Sequence, residues 1–324
     1  MLSKIGYDMA VHGLVLLLLL SVIFNAYAQS DITEEIMAVI EIKTDVEMKN
    51  IYQRVKRYDY SPRYLIDYSS VDCTYRIEIG GVEALEVLSP GTVGGAVEPI
   101  NGRLLKSGKY KIKIILTPPR NQEWEFQKFL TNHSSLKFSI KHGEFGKDKM
   151  EDYEVVYTFE SPKIKKDGIA SLEFEGDFYL EVPYVLEGWS NSKDLRKIPS
   201  IKNDVLATYH RYLDIAKNKD TIGYANMMYK KEQEVAQAFF WDTQKDSEER
   251  WDDLVEEIVA PGEFELIENY EMRFLADGKV VELIRNDEDY KGEPVIRRIH
   301  DGSIVSYPLY LHMLKGSDKL EVIR

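Results

Sequence analysis

Glu248, Asp252 and Glu256 recur every four residues, and so do Glu249, Asp253 and Glu257. On a helix that spacing stacks carboxylates along one face. Such a row could receive a basic partner or a cation. Like-charge pairs so placed cost a bare helix only about 0.2–0.5 kcal/mol each, which solvation alone can carry. The row Glu249, Asp253 and Glu257 is the candidate partner surface. Around it, Asp242 to Glu271 holds twelve acids against Lys245 and Arg250, a net of −10 in a chain whose total is −13. An acidic stripe of this kind steers basic partners, and it is equally what a solvated helix face looks like.

His210 lies beside Tyr209 and one turn before Asp214. A histidine and a carboxylate facing a common pocket could perform general acid–base work. The candidate pocket is Tyr209, His210, Tyr212, Asp214 and Met228. The alternative is an amphipathic helix whose polar face happens to carry His210, Arg211 and Asp214. His142-Gly143-Glu144 places a histidine and an acid two residues apart, without a second histidine at ligand spacing. Asp287, Asp289 and Gly292 imitate an EF-hand loop, but Lys291 and Arg298 stand where oxygen ligands belong. No metal, no cofactor and no catalytic set is assigned. Cys73, the sole cysteine, rules out an internal disulfide and reads as a small buried apolar residue.

The elements that must position these groups change character along the chain. Met1 to Gln29 reads as an export signal: Lys4, an apolar stretch from Val11 to Phe24, then Ala26-Tyr27-Ala28 as a small-x-small cleavage pattern. The apolar stretch is shorter than the roughly 20 residues of a spanning helix, and no later stretch reaches that length. The expectation is an exported chain, periplasmic or extracellular, without a stable membrane span after signal removal. Its acidity excludes nucleic acid as a partner.

From Ile36 onward the period is two. Ile36, Ala38, Ile40 and Ile42 alternate with their neighbours, and so do Val71, Cys73, Tyr75, Ile77 and Ile79. Tyr110, Ile112 and Ile114, then Leu136, Phe138 and Ile140, then Tyr153 to Phe159 and Ala170 to Tyr179 continue the pattern. Turn clusters at Gly80-Gly81, Ser89-Pro90-Gly91, Gly94-Gly95, Pro118-Pro119 and Asp167-Gly168 separate them. A short helix is expected near Glu123 to Asn132. This series reads as an antiparallel β-sandwich.

Ser190 to Ser200 reads as the connection, and beyond it the period becomes 3.6. Val205, Tyr209, Tyr212, Leu213 and Ala216 share one face of a first helix; Tyr224, Met227, Met228, Val235, Ala238 and Phe239 mark a second. Trp251, Leu254, Val255 and Ile258 mark a third, ended by Pro261-Gly262. Two hairpins follow, turning at Asp277-Gly278 and Asp301-Gly302. The expected organisation is a signal at 1–28, a β-sandwich-like domain at 29–190, a linker at 191–200 and an α+β domain at 201–324. In element order and length, residues 200–324 resemble the NTF2-like family, in which helices wrap a curved sheet and leave a pocket. That resemblance implies either a small-molecule enzyme or a binding or assembly domain.

With Tyr used 21 times, Tyr and Trp supply amphipathic rings suited to proteins or sugars. The functional expectation is an exported non-catalytic binding or interaction protein with a protein or carbohydrate partner, in an assembly or antitoxin-like role. The alternative is a small-molecule enzyme or carrier using a pocket in the C-terminal α+β domain.

Overall fold

Alternating apolar side chains build eight strands in the first half of the computed structural model, which describes residues 43–324 apart from 89–91, 122–124, 126, 166–167 and 289. The expected export signal, the alternation Ile36 to Ile42 and the expected Ser89-Pro90-Gly91 turn lie outside the described residues. The strands are β1 (Pro62–Val71), β2 (Thr74–Ile79), β3 (Val82–Val87), β4 (Val93–Pro99), β5 (Gly108–Thr117), β6 (Ser135–Glu144), β7 (Glu154–Glu160) and β8 (Leu172–Leu180). They form two antiparallel four-stranded sheets, in the orders β4-β1-β6-β7 and β3-β2-β5-β8. Because side chains alternate across a strand, each sheet has one apolar face. Tyr64, Ile66 and Tyr68 of β1, Phe138 and Ile140 of β6, Ile77 of β2, and Ile112 and Ile114 of β5 are buried in one shared cluster.

Two expectations are corrected here, and one strand is added. Tyr64 and Tyr68 belong to β1, an inner strand of its sheet, where polar-tipped rings and a buried Leu65 obscure the period. Gly94-Gly95 is not a turn but part of β4. No helix forms among the described residues of 123–132. Asn121 N donates to Glu125 O and Gln127 N to Pro119 O.

The helices of the second half are α2 (Ile201–Lys217), α3 (Thr221–Phe239) and α4 (Gln244–Val259). The second and third begin at capping side chains. Asp220 accepts from Gly223 N, and Thr243 and Asp246 cap each other reciprocally. The short α1 (Asp45–Lys49) precedes β1, yet Met48, Ile51 and Val55 are buried with α2, α3 and α4 rather than with the strands. Two small sheets complete the chain. One is β10 (Tyr270–Leu275), β11 (Val280–Arg285), β14 (Leu311–His312) and β15 (Glu321–Val322); the other is β13 (Ser303–Tyr307), β12 (Ile296–His300) and β9 (Glu263–Phe264). Both Asp-Gly hairpins form, with Asp277, Gly278, Asp301 and Gly302 at positive φ as these tight turns require.

Among the described residues the result is a mixed fold with antiparallel strands in four sheets and four helices. Thr44–Arg324 groups as one compact unit. Ala238, Leu275, Ala276, Val280, Tyr310 and Ile323 come from the second half but are buried in the cluster of the first. Among the described residues, no helix is long and apolar enough to cross a membrane.

Candidate ligand groove

Strand β5 buries Ile112 and Ile114, which leaves Lys109, Lys111 and Lys113 on the opposite face. Across the ladder Lys111 is registered with Asp177, and Lys113 with both Glu175 and Glu78. Lys109 pairs with Asp177 at 2.8 Å and Lys113 with Glu173 at 2.9 Å. This charged face is the floor of a groove of about 830 Å³. Trp189, Ser190, Ala276, Asp277 and Lys279 also line it, and the Lys279 amine donates to Ser190 O at 3.3 Å. Residues from both halves of the chain therefore face one space.

What brings them together is a contact between two turns. Ala276 N donates to Gly81 O at 2.6 Å, so the β2–β3 turn touches the β10–β11 turn. Gly81 has φ +83, and a Cβ there would lie 2.9 Å from the Ala276 Cα. Only glycine suits both the conformation and the approach. Two smaller hollows lie nearby, the first sharing Glu78, Gly81 and Lys113 with the groove and the second sharing Arg76 and Arg273 with the first. One of about 340 Å³ is lined by Arg76, Glu78, Arg196 and Arg273 among others; one of about 460 Å³ by Arg76, Glu86, Ile115 and Lys128.

Beside these hollows lies a cluster of buried charge. Arg273 of β10 contacts Glu282 of β11 at 2.7 Å, Glu83 of β3 at 2.8 Å and Glu86 of β3 at 3.0 Å. Glu83 also accepts from the Tyr310 hydroxyl at 3.1 Å, and Arg76 contacts Glu78 at 3.0 Å. Burial, then the charges of Glu86 and Glu282, push the Glu83 carboxyl up to about 8 against the opposing pull of Arg273. Burial likewise raises Glu282, whose side chain is 1% exposed. The guanidinium is held charged by its carboxylates, which outweigh its desolvation.

The sequence-predicted residues lie elsewhere. Tyr209, Tyr212 and Met228 are buried in the helical cluster. The Tyr209 hydroxyl donates to Leu309 O at 2.6 Å and accepts from Leu283 N at 2.8 Å, so its hydrogen bonds pin α2 to the strands. His210 and Asp214 are exposed on the opposite side of α2. Three of the five thus meet in the core, Tyr209 and Tyr212 from α2 and Met228 from α3, while His210 and Asp214 face solvent. Glu249, Asp253 and Glu257 are exposed along α4, with Lys245 at 3.5 Å from Glu249. In the companion row, Asp252 pairs with Lys49 of α1 at 2.9 Å. His142 stacks on Tyr64 and is hydrogen-bonded to the Tyr60 hydroxyl, whose own ionisation burial pushes up to about 12. Cys73 is buried, its thiol raised by burial to about 11. Among the described residues, no group of three His, Cys, Asp or Glu is arranged to hold a metal ion.

The charge cluster and the groove are what sequence reasoning missed. The cluster left one trace: Glu282 interrupts the buried run Val280, Val281, Leu283, Ile284, and an acid inside an apolar strand needs a partner. The groove left none, because β5, Trp189 and the β10–β11 turn are each separated by roughly 80 residues in the chain. Comparison with protein-family models, with curated proteins and with solved structures finds no match for this chain.

Proposed function

We propose that this chain is an exported, non-catalytic binding protein whose ligand lies along the groove floored by β5. The observation that carries this is the groove itself. It is concave, joins contributions from two distant segments, and combines Trp189 and Tyr110 with amines, carboxylates and backbone exposed at Gly80 and Gly108. A few convergent polar groups beside aromatic edges are what recognition of a protein segment or a sugar uses. The two sheets that share the first cluster are read as a β-sandwich, and α2–α4 with their hairpins as an NTF2-like cone. Protein capture from extract of the exporting cell, beside a glycan array, tests the proposal. Lys111→Glu with Lys279→Glu should abolish capture, while Glu249, Asp253 and Glu257 changed together to Gln should leave it intact. The reverse pattern would move the site to α4.

One observation favours a second reading, an enzyme or carrier. Glu83 stays protonated near neutrality beside a hollow, as a general acid would. Turnover abolished by Glu83→Gln in a folded protein would establish it. On this reading the chemistry sits at the seam, since Tyr209 spends its hydroxyl on backbone groups.

A further inference from the structure

Three carboxylates of one cluster share a single guanidinium. Glu83 and Glu86 come from β3, Glu282 from β11, and Arg273 from β10. The other groups facing them are Arg76 and Glu78 of β2, Tyr310, and Arg103, whose guanidinium donates to Glu83 O at 2.5 Å. Arg76 is shared between Glu78 at 3.0 Å and Glu86 at 3.6 Å, so the second guanidinium does not cancel the surplus. Four acids against Arg76, Arg103 and Arg273 leave one negative charge in excess in a place largely closed to water. Like charges so placed cannot all ionise together.

We propose that Glu83, Glu86 and Glu282 around Arg273 form a proton-operated clamp, which with one proton bound holds β3 against the β10–β11 hairpin and on losing it slackens that wall of the seam. Glu83 is the seat of the proton. Its Oε2 faces Arg273 and its Oε1 faces the Tyr310 hydroxyl, while Glu86 lies on the same guanidinium. Loss of the proton puts a third full charge on Arg273 and weakens every bond in the set. The turn contact between Ala276 and Gly81 lies at the end of these same strands, so the loosening reaches the groove. The clamp operates whatever the groove holds.

Hydrogen exchange of the full exported chain, followed by mass spectrometry at about pH 6.5 and about pH 9.5, brackets the Glu83 transition. After correction for intrinsic rates, residues 82–87 and 270–275 should lose about tenfold more protection than β6 at the higher pH, a local opening rather than a global one. Glu83→Gln keeps a neutral group between Arg273 and Tyr310, so its protection should be the same at both values. Glu86→Gln removes one repelling charge and should move the transition down by about one pH unit or more. Uniform loss across all strands, or an identical response in wild type and Glu83→Gln, would overturn the clamp. Should the variants fail to fold, infrared spectra of the wild type decide. A protonated carboxyl band present at the lower pH and gone at the higher supports the proposal, and its absence at the lower pH ends it.

Discussion

At the scale of single residues, the molecule is organised by polar groups placed where apolar ones would be expected. Arg273 is the clearest case. Its removal as Arg273→Met would leave Glu83, Glu86 and Glu282 facing one another in a buried site. Breaking a buried set this way costs about 3–5 kcal/mol, which denaturant unfolding at neutral pH should register. The same set fixes part of the pH profile. The folded-state ionisation of Glu83 is raised to about 8. Folding therefore binds a proton that the unfolded chain does not hold, between the ordinary carboxylate range and that value. Its contribution is complete below the ordinary range and is lost as pH rises through about 8. Glu232 works in the opposite sense. Burial opposes its charge, but Lys231 and Arg250 outweigh that and hold it below the usual range, with Arg250 at 2.8 Å. Its contribution is lost as pH falls. Unfolding free energy measured across pH should thus decline on both flanks, and Glu83→Gln should flatten only the alkaline one. Tyr209→Phe tests the buried hydroxyl. It strands Leu283 N and Leu309 O and should cost about 1–3 kcal/mol.

At the scale of elements, sequence pattern is informative wherever one face alone is buried. The strands around Ile77, Ile112 and Phe138, the three long helices and both Asp-Gly hairpins all follow from period and turn chemistry. Pattern is uninformative where tertiary contact overrides it. Strand β1 hides its period behind tyrosines, and β4 contains the glycine pair that reads as a turn. On α2 the residues Tyr209 and His210 are neighbours in sequence but point to different environments, because a helix turns by about 100° per residue. The exposed row on α4 carries a modest expectation. Changing Glu249, Asp253 and Glu257 together to Gln should leave thermal stability unchanged or slightly higher, since it relieves repulsion worth about 0.2–0.5 kcal/mol per pair. Gly81→Ala is expected to act far more strongly. It introduces both strain at φ +83 and a 2.9 Å approach to Ala276, and should lower the melting temperature while loosening β3 and β10.

At the scale of the whole molecule, the two halves that differ in sequence period meet in shared packing. Ser192, within the expected linker, is buried and bonded to the buried His312 at 2.9 Å, and Leu195 is buried as well. Tyr310 and Ile323 pack in the cluster of the strands, and Met48 and Ile51 in that of the helices. This shared packing creates the groove, and a ligand lying along it would touch both halves at once. The most direct test is a hydrogen-exchange footprint of the protein with and without whatever partner or glycan it captures. Protection gained together in 106–113, 175–177 and 276–279 is the predicted result. Protection confined to α4, or to one half of the chain with the groove unchanged, would contradict it.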